Sequence, residues 1–399
     1  MKSNYKRLGD YVQEVNIRNK DLTEAPLMGV SIKKVLMPSI ANIIGTDMST
    51  YKLIKKNQFA YGSVTSRNGD KISIALLEEH DNAMVSQAYT VFEVIDEKEL
   101  LPEYLMMWFR RPEFDRYARF MSHGSAREIF SWTEMRDTLL PIPAPEKQLE
   151  IVKEYNTIQN RIQLNNQLIT KLEETAQAIY KQWFVDFEFP YSPPLEGCPQ
   201  DGVVLGGYKS NGGEMVFCEE LEKEIPKGWE VGKLNDFVTI KNGKTRPTSV
   251  GSIPVYGGNG IIDYVENSNY ENLNIIGRVG AYCGSVYFDE AKVWISDNAL
   301  AGISKNNTLY FDYLTLMNLN LNSKSEGSSH PLLTQGILNN IDIIKSKNIS
   351  IYQEFEKIVE LLFKQLNNYR IQNKKLEDLN DLLLARMTNI ESRIKNVEN

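Results

Sequence analysis

Residues 146–184 contain neither Gly nor Pro, and within them Ile151, Tyr155, Ile158, Ile162, Asn165, Ile169, Leu172, Ala176, Ile179 and Trp183 recur with an unbroken 4-3-4-3 spacing. All of these except Asn165 are apolar or aromatic, which is the pattern of a coiled-coil seam. At 1.5 Å per residue such a helix is roughly 58 Å long. Pro145 stands where a helix begins, and the lone polar Asn165 is of the kind that fixes register. A second helix of this type is predicted from about residue 351 to residue 397, with Phe355, Ile358, Leu362, Leu366, Tyr369, Asn373, Leu376, Leu383, Met387, Ile390 and Ile394 on its seam. Its spacing slips between Leu362 and Leu366, which reads as a stutter, and Asn373 and Asn380 make it more polar than the first.

The segments around these helices repeat. KLEETAQAIYK at 171–181 and KLEDLNDLLLAR at 375–386 share K-L-E-(E/D), and YKRLGDYV from Tyr5 is echoed by WEVGKLNDFV from Trp229. His123-Gly124-Ser125 precedes the first helix at about the distance at which Glu326-Gly327-Ser328-Ser329 precedes the second. A period near 200 residues is too long for a solenoid and indicates tandem duplication. Runs such as QFAYGSV, AYTVFEVI and SVYF, punctuated by Gly and Asn, read as short strands. PEYLMMWFRRPEF and FDYLTLMNLNL read as matching helices in the two halves. The expected plan is α+β: a mixed domain at 1–145, a long helix at 146–186, a Pro- and Gly-rich linker or crossover at 187–227, a second mixed domain at 228–348 and a second long helix at 349–399.

A chain of 399 residues suits two or three domains that each bury a core. No run of about 18 apolar residues occurs and MKSNYKRLGD has no apolar h-region, so a cytoplasmic protein is expected. Three scattered cysteines (Cys198, Cys218, Cys283) and three histidines argue against a disulfide framework and against a metal site. The net charge of −7 is unevenly spread. Lys+Arg against Asp+Glu is 19 against 19 over residues 1–140, 8 against 14 over 141–227, 9 against 11 over 228–345 and 9 against 8 over 346–399. Phosphate binding depends on where cations cluster, so the total neither favours nor excludes DNA.

The stretch IPVYGGNGIIDYVENSNYENLNIIGRVGAYCG at 253–284 carries glycines at 257, 258, 260, 277, 280 and 284. It lacks the lysine of a P-loop and the third glycine of a dinucleotide fingerprint, so its glycines read as tight turns in a β-rich domain. Ser192-Pro193-Pro194-Leu195 resembles an adenine methyltransferase loop but has Leu where the aromatic belongs, and reads as linker. Asp96-Glu97-Lys98 lacks the Pro-Asp of a nuclease site, and His80-Asp81 or His123 with Ser125 lack a nucleophile elbow. The chain is therefore expected to be non-catalytic. What remains is a set of donor, cationic and stacking side chains on turns, suited to base edges and phosphates: Tyr61, Ser63, Arg67, Ser86, Tyr89, Lys244, Arg246, Tyr256, Asn259, Arg278, Tyr282, Asn298, Ser328 and His330.

LPIPAPEKQLEIV before the first long helix, AIYKQWFVDFEFP at 178–190, IPKGWEVGKLNDFV at 225–238, IPVYGGNGIIDYV at 253–265, IIGRVGAYCGSVYF at 275–288 and VWISDNALAG at 293–302 resemble, in that order along nearly the whole chain, the DNA specificity (S) subunits of type I restriction-modification systems. The resemblance implies two mixed α/β target-recognition domains joined by two long helices that pair as an antiparallel coiled coil with a pseudo-twofold, each domain reading one half of a bipartite site on double-stranded DNA. It also implies partners: two modification (methyltransferase) subunits bringing S-adenosylmethionine, and optionally two restriction subunits using ATP and Mg, with no cofactor on this chain. The first domain, with FAYGSVTSRNG and DNAMVSQAYTVF, matches the second only loosely. The competing readings are a helical scaffold or adaptor that binds no DNA, and a stand-alone DNA-modifying enzyme.

Overall fold

The computed structural model describes residues 5–40, 45–66, 71–124, 128–191, 206–327 and 330–387. They form two compact units, one of the described residues up to 165 and from 371 onward, the other of the described residues between 166 and 370.

In the first unit Tyr5–Arg7 pairs antiparallel with Leu139–Pro141. Two four-stranded sheets follow, in the orders Val12–Val15, Thr90–Val94, Gln58–Gly62, Ser73–Leu76 and Leu36–Pro38, Leu27–Val30, Asn82–Val85, Lys52–Lys55. The strand Gln58–Gly62 is covered on both faces. Phe59 and Tyr61 enter the main core, while Ala60 enters a smaller one with Ile54 and Val85. Helix Pro102–Arg110, opened by Pro at its first position, lays Phe109 edge-on to Phe59 (ring centroids 5.9 Å), which stacks on Phe92 at 4.7 Å. Helix Trp132–Asp137 starts with a complete capping box from Ser131 and Glu134.

The second unit repeats this topology. Trp229–Lys233 pairs antiparallel with Asp342–Ser346. One six-stranded sheet runs Val238–Asn242, Ala299–Ser304, Tyr270–Gly277, Val286–Ile295, Ile253–Gly257, Gly260–Val265. A parallel contact, rare in so antiparallel a unit, recurs: Val255 faces Trp294 here, as Leu27 faces Met84 in the first unit. The single strand Tyr270–Gly277 takes the place of Lys52–Lys55 plus Gln58–Gly62. In the former the register shifts between Glu271 and Leu273, and Asn272 is left-handed (φ 51°); in the latter Asn57 is left-handed (φ 66°). Asn tolerates that conformation better than other side-chain-bearing residues, so both copies turn the chain from one half of the sheet to the other with the same residue type.

The long helices span Pro145–Tyr180, followed by a π-helical turn at Lys181–Val185, and Ser350–Arg386. Residues 388–399, including the predicted seam positions Ile390 and Ile394, lie outside the described residues. Within the first unit Gln159 Nε2 donates to Asn380 Oδ1 at 3.1 Å and Asn165 Nδ2 to Asn373 Oδ1 at 2.9 Å, so the partners run antiparallel. Asn165 is fully buried, and the two polar seam residues are each other's partners. Within the second unit Arg370 Nη2 meets Glu173 at 2.9 Å and Trp183 packs on Phe355 at 5.5 Å, again antiparallel. One predicted seam position is corrected. Ile358 is 42% exposed, and Val359 and Phe363 are buried instead. There the helix packs on helix Leu309–Asn318 as well as on its long partner, Phe363 stacking on Tyr310 at 4.5 Å, and this rotates the buried face by one residue.

Glu356 ties these two helices together. Its carboxylate accepts the Tyr310 and Phe311 N–H groups, both at 2.9 Å, at the N-terminus of Leu309–Asn318, where Thr308 supplies no side-chain cap. Burial raises its pKa from 4.5 to about 7, against the lowering effect of those two hydrogen bonds, with Glu360 adding a smaller upward push. A carboxyl with a raised folded pKa binds protons more tightly when folded, so its contribution favours folding at low pH and is lost as pH rises from 4.5 through about 7. Asp312, fully buried on helix Leu309–Asn318 and within reach of the Glu356 charge, is also pushed upward by burial and shares the trend. Glu356→Gln, which keeps an acceptor, is expected to flatten the decline in melting temperature between pH 5 and pH 8; an unchanged slope would show that Glu356 does not carry it.

Candidate nucleic-acid interface

Three loops of the second unit converge. The hairpin joining Ile253–Gly257 to Gly260–Val265 turns through Gly258-Asn259-Gly260, with Gly260 left-handed (φ 79°). Ser285 donates its hydroxyl to the Gly258 carbonyl at 2.6 Å, which fixes the loop 278–285 against the hairpin tip. The third loop is the turn after Val286–Ile295, where Asn298 accepts the Arg278 N–H at 3.2 Å through its carbonyl. Gly277 sits at the centre. A Cβ there would lie 2.4 Å from Ser285 Oγ, 2.5 Å from the Tyr282 carbonyl oxygen and 2.7 Å from that of Gly258. Leu333 donates to the Arg278 carbonyl at 2.8 Å and Gly280 to that of Pro331 at 3.2 Å, bringing His330 to the same edge.

This junction gathers Asn259, Arg278, Tyr282, Asn298 and His330. Asn259, Asn298 and His330 are exposed, Tyr282 is 53% exposed, and Arg278 is half-buried. Arg278 Nε is buried and finds no hydrogen-bond partner among the described residues, an unspent donor at the rim of the cluster. Lys244 is exposed and held beside the turn by its backbone, which donates to Ile295 and accepts from Trp294 Nε1. Arg246 is not brought in, because its guanidinium pairs with Asp263 at 2.7 Å on the hairpin's outer strand. Tyr256 is corrected: it is 8% exposed in the core with Leu273 and Ile275, so its ring has no face for a base. Its hydroxyl donates to Asp289 at 2.9 Å, and burial first, then Asp289, raises its pKa.

The first unit has the same junction. Phe130 donates to the Ser63 carbonyl at 3.0 Å as Leu333 does to Arg278, and Val64 bridges Ile129 as Val279 bridges Leu332. The turn Ser86–Tyr89 repeats Ser296–Ala299: Tyr89 N–H to Ser86 carbonyl at 3.1 Å against Ala299 to Ser296 at 3.0 Å, with the serine hydroxyl accepting from Ala88 or Asn298. Ser63 thus occupies the place of Arg278, and Ala88 that of Asn298. Tyr89 is half-buried, its hydroxyl accepting the Val30 N–H at 3.3 Å. Tyr61 is the second correction. It is fully buried and donates its hydroxyl to the Phe130 carbonyl, so it is a core tether and presents nothing to a ligand. Arg67, Ser125, Ser328 and the Ser192–Leu195 stretch lie outside the described residues. Sequence reasoning missed Ser285 and Ser296, which hold the loops; aligning VSQAYTV with ISDNALA would have exposed Ser296.

Other candidates lose their chemistry. Asp96 accepts the Lys98 N–H at 2.8 Å in a local turn. Among the described residues no three His, Cys, Asp or Glu side chains are grouped to hold a metal ion, and no helix is long and apolar enough to cross a membrane.

The sequence profile described as "Type I restriction modification DNA specificity domain" matches residues 16–174 and 226–381, one copy on each half of the duplication. The chain belongs to the type I restriction-modification DNA specificity family. The HindI specificity subunit of Haemophilus influenzae is 24% identical over 429 aligned positions, covering 90% of this chain and 91% of that protein. The MjaIX specificity subunit of Methanocaldococcus jannaschii is 25% identical over 334, covering 76% and 72%. The fold of this specificity-family chain matches the crystal structure of the type I S subunit from M. genitalium with a TM-score of 0.56, over 96% of this chain and 95% of that one, at 16% identity.

Proposed function

We propose that each unit reads one half of a bipartite duplex target through its three-loop junction, the long helices setting the spacing. Catalysis, S-adenosylmethionine, ATP and Mg belong in this reading to two methyltransferase subunits and two optional restriction subunits, and the chain works in the cytoplasm. The observation that supports it best is the repetition of one junction with different side chains at equivalent positions, Ser63 against Arg278 and Ala88 against Asn298. A common backbone frame with exchanged donors is what two readers of different sequences require. Exposed Lys244 at the rim suits a phosphate.

The test compares methylation patterns in cells carrying and lacking the chain together with its methyltransferase partner. A bipartite motif that appears only with the chain is expected; a protein adaptor would produce none. Arg278→Ala is expected to cost about 1–3 kcal/mol, or roughly 10–100-fold in discrimination, at one half-site only. Equal loss at both half-sites would contradict independent readers.

A further inference from the structure

Lys34 lies in the turn Ser31–Val35 that joins Leu27–Val30 to Leu36–Pro38, the first-unit counterpart of the Gly258–Gly260 tip. A lysine in a turn is ordinarily solvated. This one is 4% exposed and left-handed (φ 61°), and its ammonium lies 2.7 Å from Asp115 Oδ1 while donating to the Phe109 carbonyl at 2.5 Å. Asp115 is itself 7% exposed and accepts the Ile72 N–H at 3.1 Å, just before strand Ser73–Leu76. One buried cation and one buried carboxylate therefore join four pieces of chain: the hairpin tip, the last turn of Pro102–Arg110, the first turn of Pro112–Phe120, and the backbone at Ile72 that leads into strand Ser73–Leu76.

The second unit makes this connection without charge. Ser285, the counterpart of Ser73, reaches the Gly258 carbonyl, and Asn322, just beyond helix Leu309–Asn318, donates to the Cys283 carbonyl at 2.8 Å. Asn322 and Asp115 thus follow equivalent helices and hold the backbone just before equivalent strands, at Cys283 and Ile72. A buried ion pair contributes little net stability compared with well-packed neutral groups, because desolvation offsets its attraction. What it adds is geometry, since neither partner has another place to put its charge. Around Lys34, Lys71 and Arg110 carry the same sign and Asp115 is the compensating anion; desolvation lowers the lysine's pKa.

We propose that Lys34 and Asp115 are positioning residues for recognition by the first unit: they lock its hairpin tip to the backbone at Ile72, at the start of strand Ser73–Leu76, as the Ser285 hydroxyl locks the tip of the second unit. The inference rests on the proposed reading of one half-site per unit. It assigns no contact with DNA to Lys34.

The experiment uses the full chain with its methyltransferase partner, reading the methylated motif and the melting temperature together. Lys34→Met alone strands a buried carboxylate and is expected to lower the melting temperature, so the decisive variant is Lys34→Met with Asp115→Asn, which is neutral and keeps an acceptor for Ile72. That double variant is expected to recover most of the melting temperature yet lose about tenfold or more in discrimination at one half-site, the size of a single lost base preference. Ser285→Ala is expected to relax the other half-site. A double variant whose two half-sites keep wild-type discrimination, or lose it equally, would overturn the clamp while leaving the DNA reading intact. A wild-type chain that confers no bipartite motif would overturn the reading itself, and the clamp with it.

Discussion

Phe355→Ala is expected to destabilise the unit of residues 166–370 by about 3–5 kcal/mol, the range for truncating a buried aromatic. Phe355 is fully buried, and its ring meets Tyr180 at 6.1 Å, Trp183 at 5.5 Å, Phe184 at 5.0 Å and Phe311 at 6.2 Å. Those partners come from the end of the first long helix, its π-helical turn and helix Leu309–Asn318. The cavity would thus open where three elements meet, and no one of them could close it alone. Chemical denaturation followed by tryptophan emission is a suitable measurement, since Trp183 lies in the cluster. A loss under 1 kcal/mol would mean that the cluster repacks freely and that the helix ends are held by something else.

Gly277→Ala should strongly weaken recognition of one half-site while leaving the bulk of the fold in place. The added methyl would stand 2.5 Å and 2.7 Å from two backbone carbonyl oxygens, which cannot rotate away as a side chain could. The hairpin tip and the loop 278–285 must separate, breaking the Ser285–Gly258 bond. Overpacking of this kind costs about 1–3 kcal/mol. The strain falls on the residues that present Asn259, Arg278 and Tyr282, so the expected result is a near-native circular dichroism spectrum with loss of roughly 100-fold or more in discrimination at that half-site. Intact recognition would remove this junction from the candidate interface.

What was legible in the sequence was whatever repeats with a helical period. The seam from Ile151 to Trp183 is buried or half-buried throughout, because that stripe is covered along its whole length. Where the second helix gains an additional neighbour the stripe widens, and spacing alone could not choose Val359 over Ile358. Strands concealed more. Tyr61 and Tyr256 sit beside glycines in turn-rich stretches and look like surface aromatics, yet their strands are covered by core on the relevant face. Period-two alternation reports two faces without saying whether either meets water. Lys34 was invisible for a related reason: its partner Asp115 is 81 positions away in the chain, beyond any local pattern. The duplication was readable only in fragments, because its conserved part is backbone hydrogen bonding at Ser63, Arg278 and their neighbours, where side chains are free to differ.

The bond between Asn165 and Asn373 bears on measurement. Apolar seams tolerate sliding by a heptad, since one Leu is much like another to its neighbour. Sliding one way would set Asn165 against Leu366 and bury both amides without partners. Sliding the other way would bring Asn165 to Asn380 but strand Asn373 against Leu172. Each heptad is about 10.5 Å of helix, close to three base-pair steps of duplex. In the proposed reading, a pair of buried amides would therefore act as the zero mark of a gauge, confining any change in spacing to alterations of helix length and forbidding drift at constant length.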